Sequence, residues 1–113
     1  MMNAIPEATD ELLLHLAEEA AEIIHAILKF RRFGPDGRDP RFEGVPSDRD
    51  AIAFEFGQFL AVQECLDALD EELISDDWVQ RGRRSKLDKL RRYLRHSTLT
   101  VSETEGVSLC PKF

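Results

Sequence analysis

Apolar residues recur at steps of three and four through three long segments of this 113-residue chain. Side chains three and four positions apart share one face of an α-helix, so this spacing predicts helices over most of the sequence. The predicted helices cover residues 9 or 10 to 30, 48–74 and 76–96.

Glycine, proline and capping residues separate these three segments. Gly34 and Pro35 favour the end of the first helix, and residues 34–47 form a long Gly- and Pro-rich loop. Ser47 is expected to cap the second helix, with Asp50 in the position that Glu takes in a capping box. The tail from Ser97 contains two short alternating stretches, which are compatible with a small hairpin or with a loose terminus.

We therefore expect an all-α fold, a helical bundle of three main helices with a short irregular or hairpin C-terminal tail. The helical domain would cover residues 1–96, and the tail residues 97–113. Three helices leave the apolar faces of the two long ones only partly covered. We expect self-association to complete the bundle.

The charge distribution is uneven and excludes several classes of protein. The chain carries a net charge of −7, but residues 1–77 carry −13 and residues 81–95 carry +7. The acidic average argues against nucleic-acid and membrane partners, which favour positive fields.

No apolar run approaches the roughly 18 residues of a membrane helix. The acidic N-terminus does not resemble a signal peptide, and two cysteines form no disulfide framework, so we expect a cytoplasmic protein.

Acidic residues interrupt the apolar face of the first predicted helix. Glu19 shares its stripe with five apolar side chains, and Glu22 lies one turn further on. An ionised carboxylate facing a core costs several kcal/mol unless it is paired or bound to a metal. The apolar side chains on this stripe are Leu12, Leu16, Ile23, Ala26 and Phe30.

The second predicted helix repeats this pattern. Glu55 and Gln58 stand three apart on a row that also contains Ala51 and Val62. Two helices that present such residues inward would bring Glu19, Glu22 and Glu55 together. A divalent cation is the usual remedy for carboxylates at such close range, and oxygen ligands favour Mg²⁺ or Mn²⁺. Such a cation most often handles phosphate.

Two other interpretations of these acids remain open. A Glu-Glu-x-x-Glu run is also typical of a solvated helix face. The spacings His15-x-x-Glu18 and Glu22-x-x-His25 match those of di-iron carboxylate bundles, although a complete di-iron site would need a symmetric dimer.

Two stretches of the sequence resemble a known family. They are residues 16–34, which read LAEEAAEIIHAILKFRRFG, and residues 54–62, which read FEFGQFLAV. Both resemble the MazG-like nucleoside triphosphate pyrophosphohydrolases, especially small phage-type members. The resemblance covers roughly residues 10–95. It implies an all-α dimer or tetramer that binds Mg²⁺ and cleaves a nucleoside triphosphate to the monophosphate and pyrophosphate.

The resemblance also assigns roles to individual acids. Glu19 and Glu22 match the family's ExxE motif, Glu18 matches the acid before it, and Glu55 matches the first acid of its ExxD motif. All four are candidate catalytic residues, with Glu18 orienting or activating a water. Gln58 stands where the family has Asp. Glu19, Glu22, Glu55 and Gln58 are the candidate metal ligands. The alternative is a catalytically weakened or inactive MazG-like protein that binds nucleotides or proteins.

Basic residues are the candidates for contacts with the triphosphate. Lys86, Lys89 and Arg92 follow one another at steps of three in the third helix, and Lys29 lies near the end of the first. Lysine and arginine both pair with phosphate oxygens. The alternative is a solvated basic face that forms salt bridges.

Overall fold

The computed structural model describes residues 4–37, 47–104 and 106–112, and it is mostly helical. It contains three helices, as predicted, followed by a short two-stranded antiparallel sheet that settles the tail as a hairpin. The elements are α1 (Glu7–Phe33), α2 (Asp48–Leu69), α3 (Asp76–Tyr93), β1 (Ser97–Ser102) and β2 (Gly106–Pro111).

Helix α1 begins two or three residues earlier than its periodicity predicts, and it ends at Phe33, where Gly34 and Pro35 predict its end. It starts at Glu7 directly after Pro6, whose carbonyl oxygen accepts a hydrogen bond from the backbone of Asp10. Thr9, at the predicted start of this helix, is instead buried within its first turns. The helix ends at Gly34, where a φ of 83° favours glycine because it has no Cβ.

Helix α2 begins as predicted but ends five residues early. The Ser47 hydroxyl accepts a hydrogen bond from the Asp50 backbone N–H at 3.3 Å and donates one to the Asp50 carboxylate at 2.8 Å. At the other end, the Asp70 carboxylate accepts the Glu72 backbone N–H at 3.0 Å. This local bond competes with the helical hydrogen bond, so the chain leaves the helix after Leu69.

The chain divides into two compact units, which we call the N-terminal unit (Met1–Leu73) and the C-terminal unit (Ile74–Phe113). In the N-terminal unit, α1 packs against α2 through Ala26, Ala51 and Leu66, all of which are buried. The division at residue 96 stays a prediction, as does the three-helix bundle.

The C-terminal unit consists of α3 and the hairpin. The Ser75 hydroxyl caps α3 by accepting the Trp78 backbone N–H at 3.4 Å. The strands pair from Ser97 with Pro111 to Ser102 with Gly106, and Leu99 is buried. Gly106, the first residue of β2, has a φ of 74°, a backbone conformation that favours glycine.

The spacing of the third segment predicts that Trp78 and Val79 face inward together with Leu87, Leu90 and Leu94. Trp78 and Val79 are instead exposed, Trp78 by 68%. Leu87 and Leu90 of α3, and Leu94 directly after it, are half-buried.

In the described parts of the chain, no helix combines the length and apolar content needed to cross a lipid bilayer.

Candidate functional site

Glu55 is the most unusual acidic residue of α2. Its side chain is only 5% exposed, and its Oε2 atom is buried without a hydrogen-bond partner. Burial raises the pKa of the Glu55 carboxyl above its ordinary value, and the negative charges of Glu22 and Glu19 raise this pKa further. Glu55 therefore lies within electrostatic reach of both acids on α1, as the sequence predicts.

Glu19 lies on the covered face of α1, on the side where Glu55 lies. Glu19 is half-buried, and its Oε2 atom is also buried without a partner. The stripe predicted for Glu19 is the covered one, because its apolar members are all half-buried or buried. Glu22 is exposed. Its position three residues on places it about 60° around the helix from Glu19, at the edge of the covered face.

Glu18 lies on the exposed surface of α1. Its Oε2 atom is 3.6 Å from His15 Nδ1, and more than half of both side chains is exposed. His25 is exposed as well. The two Glu–His pairs considered for a di-iron site thus belong to the surface of α1, while Glu19 belongs to its covered face.

Gln58 does not share the burial of Glu55, in contrast to the expectation that both face inward. It is exposed. The face of α2 that meets α1 is centred on Glu55 and includes Ala51 and Leu66. Gln58 lies about 60° around the helix from Glu55 on the uncovered side, since residues three apart are offset by that angle.

The predicted phosphate-binding bases are distributed over both units. Lys29 is half-buried near the end of α1. Lys86, Lys89 and Arg92 are exposed on α3, and Arg92 forms a salt bridge with Asp88 at 3.4 Å. Their contact with a triphosphate stays a prediction.

The carboxylates of Glu19 and Glu55 have the ligand chemistry that a hard cation prefers, but they do not form a complete coordination shell. Glu19 and Glu55 each offer a buried oxygen with no partner, and carboxylate oxygens are the ligands that Mg²⁺ prefers. Within the described residues, however, no three side chains of His, Cys, Asp or Glu converge into a group that could hold a metal ion. Glu19 and Glu55 could thus supply part of a coordination shell, which Glu22 or a further donor would complete.

Comparisons with known proteins add no identification. No family model matches the chain. Nor does any curated protein or solved structure. The resemblance to the MazG-like family therefore stays a prediction from the motifs.

Asp48 is a buried acid that sequence reasoning missed. It is 2% exposed, and its Oδ2 atom has no hydrogen-bond partner. Its backbone N–H donates to the carbonyl oxygen of Gly37 at 2.7 Å. The signal was present in the sequence, because Asp48 stands seven residues before Glu55 and so shares its helix face. However, an acid at the start of a helix is also typical of an exposed first turn, where it interacts favourably with the helix dipole.

Proposed function

We propose that this protein is a Mg²⁺-dependent nucleoside triphosphate pyrophosphohydrolase of the MazG-like type, which converts a nucleoside triphosphate to the monophosphate and pyrophosphate. The observation that carries the proposal is the pair of buried, unpartnered carboxylate oxygens of Glu19 and Glu55 on two packed helices. Leaving such atoms unsatisfied costs free energy unless a ligand compensates them. An exposed acid pair on a solvated face would incur no such cost.

Each acid has a distinct role in the proposed mechanism. Glu19, Glu22 and Glu55 would hold the cation, and the carbonyl oxygen of Gln58 would be the fourth protein ligand. Bound Mg²⁺ would neutralise phosphate charge. Glu18 would orient the attacking water and accept its proton. The water oxygen bonds to the α-phosphorus, and the bond from that phosphorus to the bridging oxygen breaks to release pyrophosphate. Lys29, Lys86, Lys89 and Arg92 would neutralise the leaving group.

Self-association is part of this proposal. Both helices of the N-terminal unit expose large apolar side chains, which a second copy would cover in a dimer or tetramer. A second copy could also bring further oxygen donors to the incomplete set formed by Glu19 and Glu55. We propose a cytoplasmic location for the assembly. The exposed apolar side chains include Ile24, Ile27 and Leu28 on α1, and Phe56 and Leu60 on α2.

The decisive test is release of pyrophosphate from nucleoside triphosphates in the presence of Mg²⁺ or Mn²⁺. We expect metal-dependent release by the natural chain and its loss in Glu22→Ala, because that variant removes one of the proposed carboxylate ligands of Mg²⁺. Glu64→Ala, an exposed acid of α2, is the control and should keep the activity. Failure of every common and modified nucleotide to react would refute the catalytic proposal.

A second candidate function follows from Gln58. Replacing the family's Asp by Gln removes one negative charge and one metal-ligand oxygen, which favours a helical module that binds nucleotide or protein without turnover. The variant Gln58→Asp separates the two candidates. If it creates pyrophosphate release that the natural chain lacks, the natural protein is a binding module. If the natural chain already releases pyrophosphate, the enzyme assignment stands.

A further inference from the structure

A small groove in the C-terminal unit presents three arginines. It lies between α3 and β1, has a volume of about 170 Å³, and contains none of the candidate active-site residues. We call it the arginine groove. Its lining consists of Arg83, Arg84, Leu87, Asp88, Arg91 and Val101.

The arginines of this groove have no acidic partners among the residues that the structure describes. Two of the three acids of α3 are paired with other bases, since Asp77 contacts Arg81 at 3.1 Å and Asp88 contacts Arg92 at 3.4 Å. Arg83, Arg84 and Arg91 take part in neither pair. Three arginines and one aspartate leave the lining with an excess of two positive charges.

The shape and chemistry of the groove define the class of ligand. A guanidinium group presents a planar fork of N–H donors that matches phosphate oxygens. Leu87 and Val101 form apolar parts of the wall, and an apolar wall strengthens charge contacts because it displaces water. The volume is below the roughly 300 Å³ typical of sites for drug-sized ligands, so a phosphate or diphosphate group fits better than a whole nucleotide.

We propose that the arginine groove binds a small free phosphate anion of the size of inorganic phosphate or pyrophosphate. A nucleic-acid backbone is the less favourable source of phosphate, because no aromatic side chain lines the groove and the N-terminal unit carries a net charge of −11. This site requires no metal and uses none of the bases assigned to the triphosphate.

The test is isothermal titration of the full-length protein with pyrophosphate, and separately with inorganic phosphate, in buffer containing EDTA. Chelation silences any metal site formed by Glu19 and Glu55, so the result does not depend on the proposed enzyme activity. We expect one pyrophosphate bound per chain. Arg84→Gln and Arg91→Gln should each weaken binding about tenfold, as expected for loss of a charge-assisted contact.

A control variant separates a built site from general attraction to a basic helix. Arg95→Gln removes the same charge from an exposed position just after α3 and outside the groove, and it should leave the affinity within about twofold. Circular dichroism checks that each variant is folded. Should a groove variant unfold, side-chain Nε–H resonances of the natural protein provide the readout, because binding should shift three arginine signals selectively.

Three results would overturn the proposal. The first is no binding of either anion at millimolar concentration. The second is an equal loss of affinity in the Arg95→Gln control. The third is tighter binding of a single-stranded oligonucleotide that displaces pyrophosphate, which would identify a nucleic-acid backbone as the occupant.

Discussion

Glu55 carries a cost in the folded state that no described neighbour relieves. Its carboxylate is buried, with an unpartnered oxygen and two acids of α1 close enough to raise its pKa. A residue kept only for stability at this position would be apolar or amide-bearing. The placement is therefore better explained by a ligand than by packing.

The pH dependence of stability should reveal this cost. Because the folded pKa of Glu55 exceeds its ordinary value of 4.5, the folded state holds this proton more tightly than the unfolded chain. Its stabilising contribution is present at low pH and is lost as the pH rises through the raised pKa. Without divalent metal, Glu55→Gln should melt at a higher temperature than the natural chain at about pH 7 but at a similar temperature near pH 4.

Scanning calorimetry at several pH values measures this difference. Glu64→Gln, an exposed acid on the same helix, is the matched control and should follow the natural chain throughout. A Glu55→Gln curve parallel to that of the natural chain at all pH values would show that Glu55 titrates normally.

Magnesium should raise the melting temperature, whereas the buried carboxylate of Glu55 lowers it. A ligand that binds only the folded state raises the melting temperature as its concentration increases. We expect Mg²⁺ to stabilise the natural chain and Glu64→Gln, but not Glu55→Gln or Glu19→Gln. Equal stabilisation of all four proteins would place Mg²⁺ elsewhere, and no stabilisation would remove the metal site.

A backbone hydrogen bond of 2.7 Å from Asp48 to Gly37 joins the start of α2 to the turn that follows α1. A methyl group on Gly37 would lie 2.5 Å from Asp48 Oδ2 and 2.7 Å from Phe33 Cβ, so the backbone must shift to accept alanine. We expect Gly37→Ala to lower the free energy of unfolding by about 1–3 kcal/mol.

Gly57→Ala provides the contrast for this prediction. Gly57 lies within α2 with no atom near the position of a methyl group, so alanine should stabilise the helix by about 0.5–1 kcal/mol. Urea unfolding of both variants measures the two effects. A neutral Gly37→Ala would mean that the contact with Asp48 is loose in solution.

At the scale of elements, the contact between α1 and α2 depends on one large side chain. Leu66 is fully buried, whereas the other buried apolar residues of this contact are alanines. We expect Leu66→Ala to cost about 2–5 kcal/mol of unfolding free energy. Leu69→Ala, an exposed leucine one turn later on α2, should cost much less. Similar losses in both variants, measured by urea unfolding, would contradict this description of the core.

Periodicity and capping residues were sufficient to predict all three helices, because helical spacing is a local property. The end of α2 was not predictable from spacing alone. It depends on the Asp70 side chain, which accepts the Glu72 backbone N–H in preference to continuation of the helix. The hairpin was one of two open alternatives, because alternating stretches this short carry a weak signal.

The candidate site was likewise predictable only in part, because some of its features depend on local spacing and others on how the helices pack. The inward positions of Glu19 and Glu55 followed from the sequence, because each shares a helix face with several apolar residues. The exposure of Gln58 did not, since it depends on which part of α2 contacts α1. Gln58 lies about 60° around the helix from Glu55, and only the packing of two helices decides on which side of the contact such a residue falls.

At the scale of the whole molecule, the exposed apolar side chains of α1 and α2 predict an assembly. Leu60→Glu should shift the sedimentation mass from a dimer or tetramer toward the 12.9 kDa monomer, because a charge in an apolar interface costs several kcal/mol. Gln80→Glu adds the same charge at an exposed position of α3 and should leave the mass unchanged. A monomeric natural chain would contradict the proposal of self-association.

The position of Trp78 gives the molecule a built-in spectroscopic label. It is the single tryptophan of the chain, it belongs to the C-terminal unit, and the Arg81 guanidinium lies over its ring at 4.7 Å. Its fluorescence therefore reports on α3, whereas far-ultraviolet circular dichroism is dominated by the longer α1 and α2. Recording both signals along one denaturant titration would distinguish independent melting of the two units from a single cooperative transition.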